Sequence, residues 1–192
     1  AMEVIEGPTF GQVLVDGKRD RKALLTILEK VARAVQYAHE QGVVHRDLKP
    51  GNILLDGERP VITDFGLASG EAAETRLTRS GAVMGTPQYM PPEQVQGRTG
   101  EVGPRSDIYS LGVILYEILM GKPPFAGSTA PDTFEKILKA DPPPMSGVSR
   151  DLAAVCFKAL EKNPSLRHST AGLFAEDMRR ILDGEPIAGS AA

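Results

Sequence analysis

Cysteine is nearly absent from the 192 residues: there is one, Cys156. An internal disulfide framework is therefore excluded. Cys156 lies in DLAAVCFKAL, an apolar helical pattern, and reads as a small buried hydrophobe rather than a reactive thiol. There is no apolar run long enough to span a bilayer. The most apolar stretch, IYSLGVILYEILMG at 108–121, is too short and carries Glu117. No secretory signal pattern stands at the start. The expectation is a soluble cytoplasmic chain, either by itself or as the cytoplasmic part of a membrane-anchored parent. Nor is there a long basic run. The net charge is -3 and the pI is near 5.7. Neither nucleic acid nor an anionic membrane is indicated as the main partner. Repeats and low-complexity segments are also lacking.

What is present is ordinary for a globular protein: 41% hydrophobic and 24% charged residues, on a length that suits one core or a large piece of a bigger one. The first 20 residues show no clear period. From Ala23 to Gln41, Leu24, Leu28, Val31, Val35 and Ala38 recur on one helical face, and Gly42 follows as a stop. Short pieces come next: VV at 43–44, ILL at 53–55 and VIT at 61–63, read as short strands around turns. Residues 68–83 are small and polar, a loop pattern. Residues 105–121 form a helix apolar nearly all round, which predicts a central position. Further helices are expected over 131–140, 150–161 and 169–182, with the proline-rich linker ADPPPMSG between the first two. The tail GEPIAGSAA reads as frayed. The chain is thus mainly α, with polar loops and short strands over a helical platform.

The stretch HRDLKPGN at 45–52 sets two opposite charges, a second cation and an amide between two apolar pairs. TDFG follows at 63–66, GTPQYMPPEQ at 85–94, SDIYSLGVILYEILMGKPPF at 106–125, and Arg167 near the end. In order and spacing these blocks resemble the eukaryotic-type (Hanks-type) serine/threonine protein kinases, in wording similar to bacterial members. The resemblance runs from Met2 to about Leu182 and implies a kinase-like large (C-terminal) lobe, with a flexible tail over 183–192. It implies phosphorylation of serine and threonine hydroxyls on proteins, using ATP and Mg²⁺, with Mn²⁺ as an alternative metal.

Residue by residue, the resemblance makes Asp47 the acceptor of the substrate's hydroxyl proton and Lys49 a cation beside the transferring phosphate. Asn52 and Asp64 become the Mg²⁺ ligands. Thr86 matches the threonine that contacts the catalytic pair. Met2, Glu3, Ile5 and Leu54 match the adenine site, together with Lys49, Asn52 and Asp64 for the rest of ATP. Arg46 matches an arginine that holds a phosphorylated activation loop, with Thr75, Thr78 and Ser80 as candidate phosphoacceptors. His45, Phe65, Gly66, Glu93, Asp107 and Arg167 match structural positions: His45 beneath Phe65, Asp107 anchoring the loop backbone, Glu93 paired with Arg167. His39 and His168 are not expected to be catalysts.

The match departs from the family in several places. No G-x-G-x-x-G and no strand A-x-K precede His45, so the family's small lobe is expected to be missing as a partner. PPE at 91–93 replaces APE, Gly51 stands where a polar residue is common, and Thr9 replaces a carboxylate found in some members. Two alternatives stay open. One is a noncatalytic interaction module that uses an exposed upper face. The other is a metal-dependent phosphate hydrolase using Asp47 and Asp64.

Overall fold

The computed structural model describes residues 6–65 and 87–187. Over these residues the protein is mainly helical, with two short antiparallel strands. The helices are α1 (Phe10–Asp16), α2 (Arg21–Glu40), α3 (Pro92–Val95), α4 (Pro104–Met120), α5 (Ala130–Lys139), α6 (Arg150–Ala159) and α7 (Ala171–Asp183). Strands β1 (Ile53–Asp56) and β2 (Arg59–Ile62) pair from Ile53 with Ile62 to Asp56 with Arg59. No helix among the described residues is long and apolar enough to cross a membrane.

Helix α4 forms the middle of the core. Ile108, Tyr109, Leu111, Val113, Ile114 and Leu115 are all fully buried, as expected of a helix apolar on every side. Helices α2, α6 and α7 pack around it. The crossing of α4 and α6 is close: a Cβ at Gly112 would stand 2.7 Å from the Ala159 Cβ. Only hydrogen at position 112 allows that approach. Helix α2 starts at Asp20, whose carboxylate accepts from the Ala23 amide at 2.7 Å. Its buried residues are Leu25, Ile27, Leu28, Val31, Ala32 and Val35, a wider stripe than the single row the periodicity predicts. The width follows from its position between α4 and α7.

Two expectations are corrected. Residues 10–16, where no period was evident, form α1. A helix of two turns is too short to display a period. Its signals are local: Thr9 accepts from the Gln12 amide while the Gln12 side chain accepts from the Thr9 amide, and Gly17 closes the far end at φ 64°. Val43 and Val44 do not form a strand. The Val43 amide donates back to the Ala38 carbonyl at 2.9 Å, so the pair completes the end of α2.

His168 sits just before α7, 2% exposed. Its Nε2 lies 3.2 Å from Asp177, and its ring stands edge-on to Phe174. Burial holds its imidazole well below the usual histidine value, with the Lys158 charge adding, against a smaller upward pull from Asp177. The geometry alone suggests an ion pair. Burial is the larger effect, so His168 is neutral and donates to Asp177. Protons then bind the unfolded chain more readily than the folded one. His168's contribution is fully present above about pH 6.5 and declines as pH falls below it, levelling off beneath the lowered folded value. Urea midpoints measured between neutrality and mild acid are expected to fall less steeply in His168→Gln than in the parent.

Candidate active site

The loop from His45 to Asn52 is shaped by a buried carboxylate beneath it. Asp107, in the first turn of α4 and 1% exposed, accepts from the His45 amide and from the Arg46 amide, both at 2.9 Å. His39 of α2 adds a third contact to Asp107 at 2.7 Å. This clamp holds Arg46 at φ 69°. Arg46 and Asp64, the latter at φ 60°, are the two non-glycine residues with positive φ among those described. Each such conformation costs roughly 1–3 kcal/mol and persists only where the surroundings enforce it. Arg46 directly precedes Asp47, and Asp64 is itself an expected Mg²⁺ ligand.

The loop then ties itself together. His45 Nε2 lies 2.8 Å from the Thr63 carbonyl, which can only accept, so Nε2 carries the proton. Nδ1 is then free to accept from the Asp47 amide at 3.2 Å. The His45 ring also packs on Phe65, with centroids 4.9 Å apart. Asp47 Oδ2 accepts from the Lys49 ammonium at 2.8 Å, and the pair is partly open to solvent. The Asn52 amide nitrogen donates to the Asp47 carbonyl at 2.8 Å, so its oxygen is the end that could ligate a metal. Thr63 returns to the Asn52 carbonyl through its amide at 2.9 Å, so Asp64 follows directly beside Asn52. The Asp64 carboxylate is exposed.

The structure therefore brings Asp47, Lys49, Asn52 and Asp64 to one surface. Leu54, on the face of β1 opposite buried Ile53 and Leu55, is half-buried beside Thr9. Met2, Glu3, Ile5, Gly66, Thr75, Thr78, Ser80 and Thr86 lie outside the described residues. Among those described, no group of three or more His, Cys, Asp or Glu side chains forms a metal cage. One amide oxygen and one exposed carboxylate form instead the partial donor set that suits Mg²⁺, which keeps waters and phosphate oxygens as its other ligands.

Glu93 and Arg167 are both fully buried as side chains and meet in a two-pronged contact at 2.8 and 2.9 Å. Burial pushes the Glu93 carboxyl up, but the Arg167 guanidinium more than offsets this and holds it below the usual range. Ser106 of α4 donates to the same carboxylate at 2.7 Å. Arg167 also donates to the carbonyls of Arg105, Glu161 and Lys162.

Sequence reasoning missed several supports. The His39 contact to Asp107, the Thr63 contacts and the Ser106 contact join residues far apart in the chain. Tyr89 donates to Glu117 at 2.6 Å beneath the segment that precedes α3. Burial raises the Glu117 carboxyl pKa, against the hydrogen bond from Tyr89. No local pattern announces any of these.

Asp107→Asn tests the clamp. Its oxygen would keep His45 and His39, and its NH₂ would face the Arg46 amide. A loss of about 1–3 kcal/mol in urea unfolding is expected from the donor left without an acceptor.

Residues 1–178 match the family described as "Protein kinase domain". The serine/threonine-protein kinase PknB of Mycobacterium leprae is 40% identical over 191 residues, 96% of this chain and 30% of that protein. PknB of Mycobacterium tuberculosis is 38% identical over 192 residues, with the same coverage. The serine/threonine-protein kinase PknA of Mycobacterium tuberculosis is 41% identical over 186 residues, 95% of this chain and 42% of that protein. The chain thus spans less than half the length of these curated relatives.

Proposed function

The chain belongs to the protein kinase domain family, and from that premise we propose that it carries the catalytic loop of an ATP-dependent serine/threonine protein kinase. The observation that carries the reading is the convergence of Asp47, Lys49, Asn52 and Asp64 on one surface, with strained backbone at Asp64 and at the adjacent Arg46. That surface is polar and open, and it rests on a buried clamp.

In this reading the Asp47 carboxylate accepts the proton of a serine or threonine hydroxyl as the hydroxyl oxygen bonds to the γ-phosphorus of ATP and the bond from that phosphorus to the bridging oxygen breaks, releasing ADP. Lys49, 2.8 Å from Asp47, places a cation beside the transferring group. Asn52 and Asp64 would hold Mg²⁺, which neutralises phosphate charge when bound. Asp107 and His45 position the loop without touching the substrate. Arg46 is proposed to receive a phosphorylated residue of the 75–80 region. Glu93 and Arg167 fasten α3 to the helical base.

The complete catalytic set favours this reading over a noncatalytic interaction module. Within these 192 residues neither a glycine-rich loop nor a strand lysine precedes His45. The chain by itself is therefore expected to bind MgATP weakly and transfer slowly, the phosphate clamp being half of what the family uses. The test is radiolabel transfer from γ-labelled ATP to a serine-rich protein, with this chain alone and with it joined to a kinase small lobe. Transfer restored by the small lobe supports the reading. No transfer from the joined protein, with folding intact, overturns it.

A further inference from the structure

Away from the catalytic loop, a cleft of about 280 Å³ opens between the first turns of α2 and the β1–β2 turn. Its floor includes Ala23 and Ile27, and its rim carries Arg19, Lys22 and Lys30. The Arg19 guanidinium donates to the Gly57 carbonyl at 3.2 Å, and the Lys30 ammonium to the Glu58 carbonyl at 3.4 Å. Both cations are thus fixed at the turn by uncharged groups. None of the three rim cations is ion-paired among the described residues, whereas the neighbouring Lys18 and Arg59 face Asp16 and Asp56. Two carboxylates also line the cleft. Asp20 is committed to the Ala23 amide as the cap of α2. Glu58 stands exposed on the turn.

We propose that this cleft docks an acidic segment of a partner protein. Aspartate or glutamate carboxylates would sit on Arg19, Lys22 and Lys30, and a small apolar side chain would rest on Ala23 and Ile27. Charge complementarity selects this occupant: three cations outnumber two carboxylates around a floor that includes Ala23 and Ile27. A single phosphate has no use for the floor and would meet Glu58 and Asp20. An extended segment can place its carboxylates clear of both. The volume lies at the lower end for small-molecule sites and suits side chains rather than a cofactor. The turn is one short strand from Asn52, roughly 14 Å at 3.4 Å per residue. A protein held here could present a nearby hydroxyl to Asp47. That use rests on the kinase reading; the binding does not.

The experiment titrates the ¹⁵N-labelled chain with a blocked glutamate pentapeptide that has a central leucine. Inorganic phosphate and the lysine counterpart of the peptide serve as separate probes. Expected are saturable shifts confined to the amides of 19–30 and 57–58. Affinity should weaken at least about tenfold when salt rises from about 50 to about 300 mM, and by a similar factor in Lys22→Glu/Lys30→Glu. Both lysines are exposed, and circular dichroism checks that the variant is folded. Equal binding by the variant, shifts elsewhere, or equal affinity for the lysine peptide overturns the proposal. Phosphate producing the same shifts at lower concentration overturns it in favour of a small-oxyanion site. Phosphoryl transfer is not read, so failure here and failure of the kinase reading are separate results.

Discussion

In a preparation that transfers phosphate, Asp47→Asn is expected to slow transfer about 10²–10⁴-fold, the usual worth of a positioned general base. The fold should not change. The Asp47 backbone carbonyl still receives the Asn52 amide, and its backbone amide still reaches His45. The altered group is the half-exposed carboxylate, which loses its proton-accepting capacity and its charge pairing with Lys49. Partly solvated pairs of this kind contribute little to stability. The two readouts should therefore separate: initial rates collapse while the thermal midpoint stays within a degree or two. A variant retaining a tenth or more of the parent rate would remove Asp47 from the role of base.

Arg167→Ala should have the opposite profile, a loss of stability before any question of rate. It strips the only cation that meets a fully buried carboxylate among the described residues and leaves three backbone carbonyls without their donor. Breaking a buried pair from one side costs about 3–5 kcal/mol. At this chain length that lowers the thermal midpoint by roughly 6–20 °C. Scanning calorimetry of Arg167→Ala, Glu93→Leu and the double variant separates the parts. Glu93→Leu also removes the acceptor of Ser106. The double variant should be less destabilised than the sum of the two singles, since neither charge is then stranded. Strict additivity would mean that Arg167 acts through the carbonyls alone.

The elements most legible in the sequence were those with long apolar periods. The five longer helices were expected close to where they lie, because α2, α4 and their neighbours each bury a face that repeats over several turns. The short elements were not legible by the same means. Helix α1 depends on a capping exchange between Thr9 and Gln12, a signal three residues wide. Val43 and Val44 carry strand-forming side chains, yet the backbone there serves to finish a helix. The HRDLKPGN loop was visible through its resemblance to the kinase family, whereas its supports were not. His39 and Asp107 are 68 residues apart, and Ser106 and Glu93 are 13 apart. Such partners are chosen by the way α2, α3 and α4 pack. The positive φ angles at Arg46 and Asp64 belong with these. Aspartate tolerates a left-handed backbone, but arginine does not announce one, and at Arg46 it is the clamp from α4 that enforces it.

The Asp107 clamp also bears on how the protein opens. Loops are commonly the first segments to exchange their amide hydrogens with solvent, because little holds them. Here the His45 and Arg46 amides are bonded to a carboxylate rooted in the most deeply buried helix. Freeing them breaks hydrogen bonds to a carboxylate that the core holds in place. These two loop amides should therefore exchange on the timescale of global unfolding, alongside the interior of α4. The segment proposed to meet a solvent-borne substrate is then kinetically part of the last region to come apart.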